Sequence, residues 1–189
     1  MKKVFSFCIC LVLLSTALQA QKVIPLDKSP LDYAYFPVNF AHDRGDGPKK
    51  VGNQAFVRAL YSRPAKKERE IFGKLIPYGQ VWRAGANEST EIKFYQDVTI
   101  QGKAIKAGTY SLFVLPTESE WTIILNTNVD YWGSFSYKEA NDVARFKVPV
   151  KKAESMAENF TIQFAQNGEK NATMQLIWDM TLVELPIGL

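Results

Sequence analysis

From Gln54 onward apolar residues recur mostly at every second position and seldom at helical spacing. Side chains alternate across a β-strand, so this period restricts the chain to folds whose strands each bury one face. AFVRALYS (55–62) ends before Pro64, and EIKFYQDVTI (91–100) sets Ile92 and Phe94 against Glu91 and Lys93, then continues with Val98 and Ile100. QGK (101–103) is a tight-turn signal. TYSLFVLP (109–116), apolar on both faces at several positions, reads as a central strand, and WTIILN (121–126) reads as its hairpin partner. RFKVPV points Phe146, Val148 and Val150 one way, but Pro149 lacks a ladder donor and places that strand at an edge or at its end. FTIQFAQ turns Phe160, Ile162 and Phe164 inward, and the last segment presents Leu176, Trp178, Met180 and Leu182 on one face.

Helix signals are few. PAKKEREIFGKLI (64–76) has a proline near its start, yet Gly73 and Pro77 cut it short; AESMAENF (153–160) has room for one or two turns. About seven to nine strands with at most short helices predict an all-β antiparallel sandwich, with an irregular β-barrel as the alternative.

The two ends of the fold region are framed differently. Residues 1–20 carry Lys2 and Lys3, then a short apolar run and small residues up to Ala20, the pattern of a secretory signal. The run is well short of the roughly 20 apolar residues a membrane span needs, so no stable membrane insertion is expected after cleavage. Cys10 behind an apolar run raises a lipoprotein as the alternative, although Phe7, Cys8 and Ile9 lack the small residue that normally precedes a lipidated cysteine. The expected organisation is a signal over 1–20, a proline-rich extended lead-in over 21–50 and one sandwich domain over 51–189. The expected location is the periplasm or the extracellular space. Within the lead-in, the aromatic run from Tyr33 to Phe40 is suited to an outer strand or to covering one end of the core.

Cleavage would remove both cysteines, Cys8 and Cys10, and leave His42 as the one histidine. No thiol nucleophile, disulfide or common Cys/His zinc site can then be built, and no GxSxG elbow or phosphate loop is present. No cofactor is expected. Without Lys2 and Lys3 the balance is 21 basic against 19 acidic residues, too even to suggest a nucleic-acid partner. Asp43 and Asp46 in DRGDG could offer oxygens to calcium, but their spacing fits a turn better than an ion loop. Carboxylate chemistry remains: Glu88 and Glu91 could serve a glycan hydrolase, which needs two acids roughly 5–9.5 Å apart.

YGQVWRAGANEST (78–90) is the densest polar and aromatic stretch. As scaffold, Trp82 plugs one end of the sandwich, Arg83 pairs with Glu88 or another acid, and Asn87 caps a turn. As a ligand site, Tyr78 and Trp82 form an apolar wall, Arg83, Asn87 and Glu88 fix a polar ligand, and Arg63 and Arg69 add donors. Trp121, Trp132 and Trp178 lie in or beside strand patterns and are expected to fill the core. The function favoured on these grounds is a non-enzymatic binding or interaction module. Its expected partner is a glycan, a peptide or another envelope protein; the alternatives are the glycan hydrolase and a purely structural envelope protein.

YSRP (61–64), Arg69 with IFG (71–73), PYG (77–79), VWRAGANEST (81–90), AGTYSLFVLP (107–116), WTIILN (121–126) and Trp132-Gly133 occur here in linked order. In this order they resemble the domain-of-unknown-function 2911 family, exported proteins found mainly in Bacteroidota. The resemblance spans about 54–164 and implies export and domain extent, with no activity to carry over. One departure is Glu68, where the family pattern has glycine before the arginine.

Overall fold

The computed structural model describes residues 21–38, 40–46, 52, 54–168 and 171–189. The expected signal at residues 1–20, with both cysteines, lies outside that set, as do Gly47 and the Asp46 side chain on which the calcium expectation depends. Among the described residues nine antiparallel strands are ordered β1-β2-β3-β6-β7-β8-β9-β4-β5. They are β1 Leu31–Phe36, β2 Val57–Ser62, β3 Thr90–Phe94, β4 Val98–Ile100, β5 Lys103–Ile105, β6 Gly108–Pro116, β7 Glu120–Asn126, β8 Asp142–Gln166 and β9 Asn171–Gly188. The row does not close: β1 and β5 are its ends, so the fold is an open antiparallel sandwich, not a barrel.

One strand belongs to both layers, and Pro149 marks the changeover. Through Pro149, β8 pairs with β7; from Val150, opposite Val183, it pairs with β9. A residue without an N–H fits where one ladder ends, so the proline expected at an edge or at a strand's end sits where β8 passes from one sheet to the other. Beyond it β8 keeps extending, and the helical turns considered for 153–160 are strand, with register shifts between Lys152 and Ala157 and between Ala157 and Thr161. The partner strand answers with Asp179 at φ 55°, which flips the alternation of β9. Leu176 and Trp178 are buried as expected, but after Asp179 the core takes Val183, Leu185 and Ile187, and Met180 and Leu182 are left half-exposed. A bulge residue shifts every later side chain to the other face, which strict period-two reading cannot register.

The lead-in contributes β1, paired with β2 from Leu31 opposite Ser62 to Phe36 opposite Val57. A short helix α1, Phe40–Asp46, follows where a loop was expected. The 64–76 segment forms turns instead of a helix: Lys67 and Glu68 adopt φ of 50° and 59°, conformations incompatible with a right-handed helix. The β4–β5 hairpin turns on Gln101 and Gly102, at φ 48° and 78°, as a two-residue turn with both φ positive requires.

The core lies between the layers and is strongly aromatic near one end. Trp82, Trp121, Trp178 and Phe160 are buried there, with Phe72 packed against them. The ring of Trp82 lies 5.0 Å from Phe160, 6.0 Å from Phe72 and Trp178, and 6.2 Å from Trp121, mostly edge to face. At the open side of the row, Tyr61 of β2 and Arg63 just beyond it reach the backbone of β8. Tyr61 donates its hydroxyl to the Ile162 carbonyl at 3.1 Å, and Arg63 Nε donates to the Phe160 carbonyl at 3.3 Å.

Candidate functional site

Strand alternation decides what the central stretch exposes. Gly79 N–H donates to the Pro116 carbonyl, and Trp82 exchanges backbone bonds of 2.7 and 2.8 Å with Val114, so residues 79–82 extend the row along the edge of β6. The chain leaves that edge at Arg83 and returns at Thr90, where the Thr90 N–H donates to the Arg83 carbonyl at 3.2 Å. Trp82 faces the core, 5% exposed, and its Nε1 donates to the Gly85 carbonyl at 3.0 Å. Arg83, the next residue, therefore projects on the opposite, outer side.

The excursion is fixed from both flanks. Thr90 Oγ1 donates to the Ala84 carbonyl at 2.6 Å, and a Cβ on Gly85 would lie 3.1 Å from the Ser62 carbonyl, a tight contact that glycine avoids. A second loop, residues 127–137, lies over it. Ser89 N–H donates to the Tyr131 carbonyl, Gly133 N–H to the Asn87 carbonyl, and Ser134 Oγ to the Val81 carbonyl at 3.0 Å. That loop is held to the sheet by Asp142, whose nearly buried carboxylate accepts from Tyr137 Oη at 2.6 Å, Asn126 Nδ2 at 2.8 Å and Arg145 Nη1 at 2.9 Å. Burial, followed by the hydrogen bond to Asp142, pushes the Tyr137 hydroxyl's pKa well above its ordinary value.

Arg83 is half-buried under Gly133, and its Nε is enclosed without a hydrogen-bond partner. Its Nη1 lies 3.8 Å from where a Gly133 Cβ would stand. Among the described residues no carboxylate lies within ion-pair distance of it, so the pairing with Glu88 expected on the scaffold reading is not made. Burial alone lowers its pKa, with no opposing charge to offset it. Beside it the loop exposes Trp132 at 62% and Phe135 at 84%. Trp132, expected in the core, is thus the aromatic that faces outward, while Trp82 faces in.

The seven residues singled out from the sequence do not form one site. Arg83, Asn87 and Glu88 share the excursion. Asn87 Nδ2 donates to Asp27 Oδ1 at 3.0 Å, and together with Glu88, Trp132, Leu26 and Leu31 it lines an exposed groove of about 460 Å³. Tyr78, 42% exposed, lies toward the Pro116 end of β6, roughly 17 Å along the strand from Ser111, which neighbours Ser89. Burial, then Glu118 and Glu70, raise its hydroxyl's pKa. Arg63 is committed to Asp32 at 2.8 Å, Thr161 Oγ1 at 2.9 Å and the Phe160 carbonyl, and Arg69 to the carbonyls of Lys66 and Ala65. Both arginines clamp backbone and offer little to a ligand.

The sequence reading missed Phe135, Asp130 and Ser62. Asp130 and Ser62 join Glu88 and Glu91 around a separate small cavity. For Asp130 and Phe135 the one sequence signal is the run DYWGSF (130–135), whose glycine, with aromatics on either side, marks a loop in place of a strand; Ser62 has none. Among the described residues no helix is long and apolar enough to cross a membrane, and no group of three His, Cys, Asp or Glu side chains is placed to hold a metal ion.

These features define an all-β domain whose two apposed loops present an unpaired arginine and exposed aromatics on the outer face of one sheet. The chain belongs to the family described as Protein of unknown function (DUF2911), whose model matches residues 48–187. No curated protein and no solved structure matches the chain.

Proposed function

We propose that the protein is an exported, non-enzymatic binding module that captures a carboxylate-bearing glycan or peptide at Arg83. One observation carries this reading: the Arg83 guanidinium is half-buried without an ion pair, under the Gly133 turn of a loop that exposes Trp132 and Phe135. Placing a cation in a partly desolvated position costs free energy that a carboxylate would offset, through the paired donors the guanidinium fork presents. Trp132 and Phe135 supply faces on which a sugar ring or an apolar peptide side chain can rest. The purely structural alternative needed Arg83 to be saturated by the protein, and its free Nε counts against that.

The hydrolase alternative is less well supported by the geometry. Glu88 and Glu91 do line one cavity, but its volume is about 200 Å³. Sites for drug-sized ligands run from roughly 300 to 1,000 Å³, and a glycosidic bond needs room for a ring on each side. Trp82, which would have supplied the stacking surface there, is in the core.

The reading is tested by screening acidic glycans and peptidoglycan fragments against wild type, Arg83→Met and Trp132→Ala. A binder lost with Arg83→Met and weakened with Trp132→Ala supports it; equal responses from all three folded proteins overturn it. Export rests on the pattern of residues 1–20, and N-terminal sequencing of protein from the cell envelope checks it.

A further inference from the structure

On the outer face of the first layer, one strand position away from the Arg83 excursion, lies a cavity with the opposite charge. Val57, Ala59 and Tyr61 of β2 belong to the core, so Arg58, Leu60 and Ser62 project outward. Leu60 stands opposite Glu91 of β3, whose neighbours Ile92 and Phe94 point inward, which puts Glu91 and Leu60 side by side on the outer face. Glu88 and Asp130 come in from the two loops, and Leu31 closes a wall from β1. The partly open cavity measures about 200 Å³, and no lysine or arginine lines it.

Two independent features show that this cavity is not simply filled by the protein. Glu88, Glu91 and Asp130 form no ion pair among the described residues, although all three border the same space. Ser62, which also lines it, is only 1% exposed, and its Oγ is buried without any hydrogen-bond partner. Buried hydroxyls are normally satisfied, because an unmet one carries its full desolvation cost. A buried acceptor hydroxyl and three unpaired carboxylates bordering one cavity ask for a cationic donor. The three acids are not grouped to hold a metal ion, and the apolar walls of Leu31 and Leu60 suit methylene groups.

We propose that this cavity is a binding site for a primary alkylammonium group. The ammonium is a compact cation with three donors, and it matches Ser62 Oγ together with two of the carboxylates. Its alkyl stem lies between Leu31 and Leu60. The volume admits such a head group and excludes a whole sugar or peptide. The group can belong to a free small amine or to a lysine-like side chain of a larger ligand. The site is independent of the Arg83 reading, since Arg83 does not line it and the charge is opposite.

The test is an NMR titration of the purified protein with n-butylammonium, acetyl-lysine amide, n-butanol and calcium, using backbone amide shifts at Ser62, Glu91 and Asp130. Saturable shifts with n-butylammonium and none with n-butanol are expected. Shifts with acetyl-lysine amide as well assign the site to side chains of larger ligands, and shifts with n-butylammonium alone assign it to free amines. Glu91→Gln and Ser62→Ala should each weaken binding by about tenfold, and Arg83→Met should leave it unchanged. Equal shifts with n-butanol, saturation by calcium alone, or no saturable shift overturns the proposal. If Glu91→Gln misfolds, Ser62→Ala serves as the deciding variant, because removing an unpartnered hydroxyl does not cost a native bond.

Discussion

Trp82→Ala distinguishes a core residue from a pocket wall, and the two roles give very different numbers. The indole is 5% exposed, touches Phe72, Trp121, Phe160 and Trp178, and donates to the Gly85 carbonyl at 3.0 Å. Truncating a buried tryptophan costs about 3–5 kcal/mol, and leaving a buried carbonyl unpaired adds about 1 kcal/mol. Taken together, about 4–6 kcal/mol is a large part of a domain stability of roughly 5–15 kcal/mol. With a urea slope of about 2 kcal/mol/M the unfolding midpoint should fall by about 2–3 M, read by far-UV circular dichroism. Trp82→Phe keeps most of the ring contact but loses the donor, and should cost about 1–3 kcal/mol. A surface ring would give changes within about 0.5 kcal/mol. A Trp82→Ala midpoint within about 0.3 M of wild type would therefore refute the core placement and return Trp82 to a ligand wall.

Three further outcomes follow from single residues. Arg83→Met removes a half-buried cation whose Nε has no partner, so its unfolding midpoint should equal or exceed wild type, by up to about 1 kcal/mol, while carboxylate binding is lost. Glu68→Gly should stabilise by up to about 1 kcal/mol in the same assay, because Glu68 holds φ 59°, where a side chain is strained and glycine is not; a destabilised variant would show that its turn depends on the side chain. The Glu184 carboxyl is held below its ordinary pKa, first by Lys151 at 2.7 Å and then by Gln175. Its contribution is present above the usual glutamate value of about 4.3 and is lost as pH falls through the lowered one, so Lys151→Met should flatten the acid limb of stability against pH, by no more than about 1 kcal/mol.

Strands were legible wherever local pattern and tertiary partner agree. TYSLFVLP and WTIILN pair with each other as the alternation requires, from Ser111 opposite Asn126 to Pro116 opposite Trp121. The pattern misled where one residue changes the register. Asp179 at φ 55° inverts the faces of β9, and nothing in the run TMQLIWDMTLVEL marks which residue will bulge. The short helix Phe40–Asp46 was hidden for a different reason: seven residues between prolines give too little periodicity to read. Glu68 was visible as a departure from a family pattern, but its meaning needed the backbone, which shows the positive φ that glycine accommodates. Trp132 was misplaced because aromatic composition reports apolar area and not direction; its exposure is set by how the 127–137 loop lies on the sheet.

Strand alternation makes the scaffold and binding roles of WRAGANEST complementary. Trp82 and Arg83 are adjacent, and at the edge of β6 adjacent residues must face opposite sides of the sheet. The indole that locks this segment into the aromatic end of the core thereby fixes where the guanidinium emerges. The Thr90 N–H to Arg83 carbonyl bond and the Ser134 and Gly133 bonds then hold the two loops around it. A site built this way needs rigidity below it more than contacts of its own, because a ligand gains affinity when the donor is already held in place. Trp82→Phe, which keeps the anchor, should accordingly retain carboxylate binding, whereas Gly85→Ala, whose added Cβ would meet the Ser62 carbonyl at 3.1 Å, should weaken it by moving Arg83 without touching the ligand. Undiminished binding in Gly85→Ala would mean that the excursion adapts, and that Arg83 does not depend on the indole beneath it.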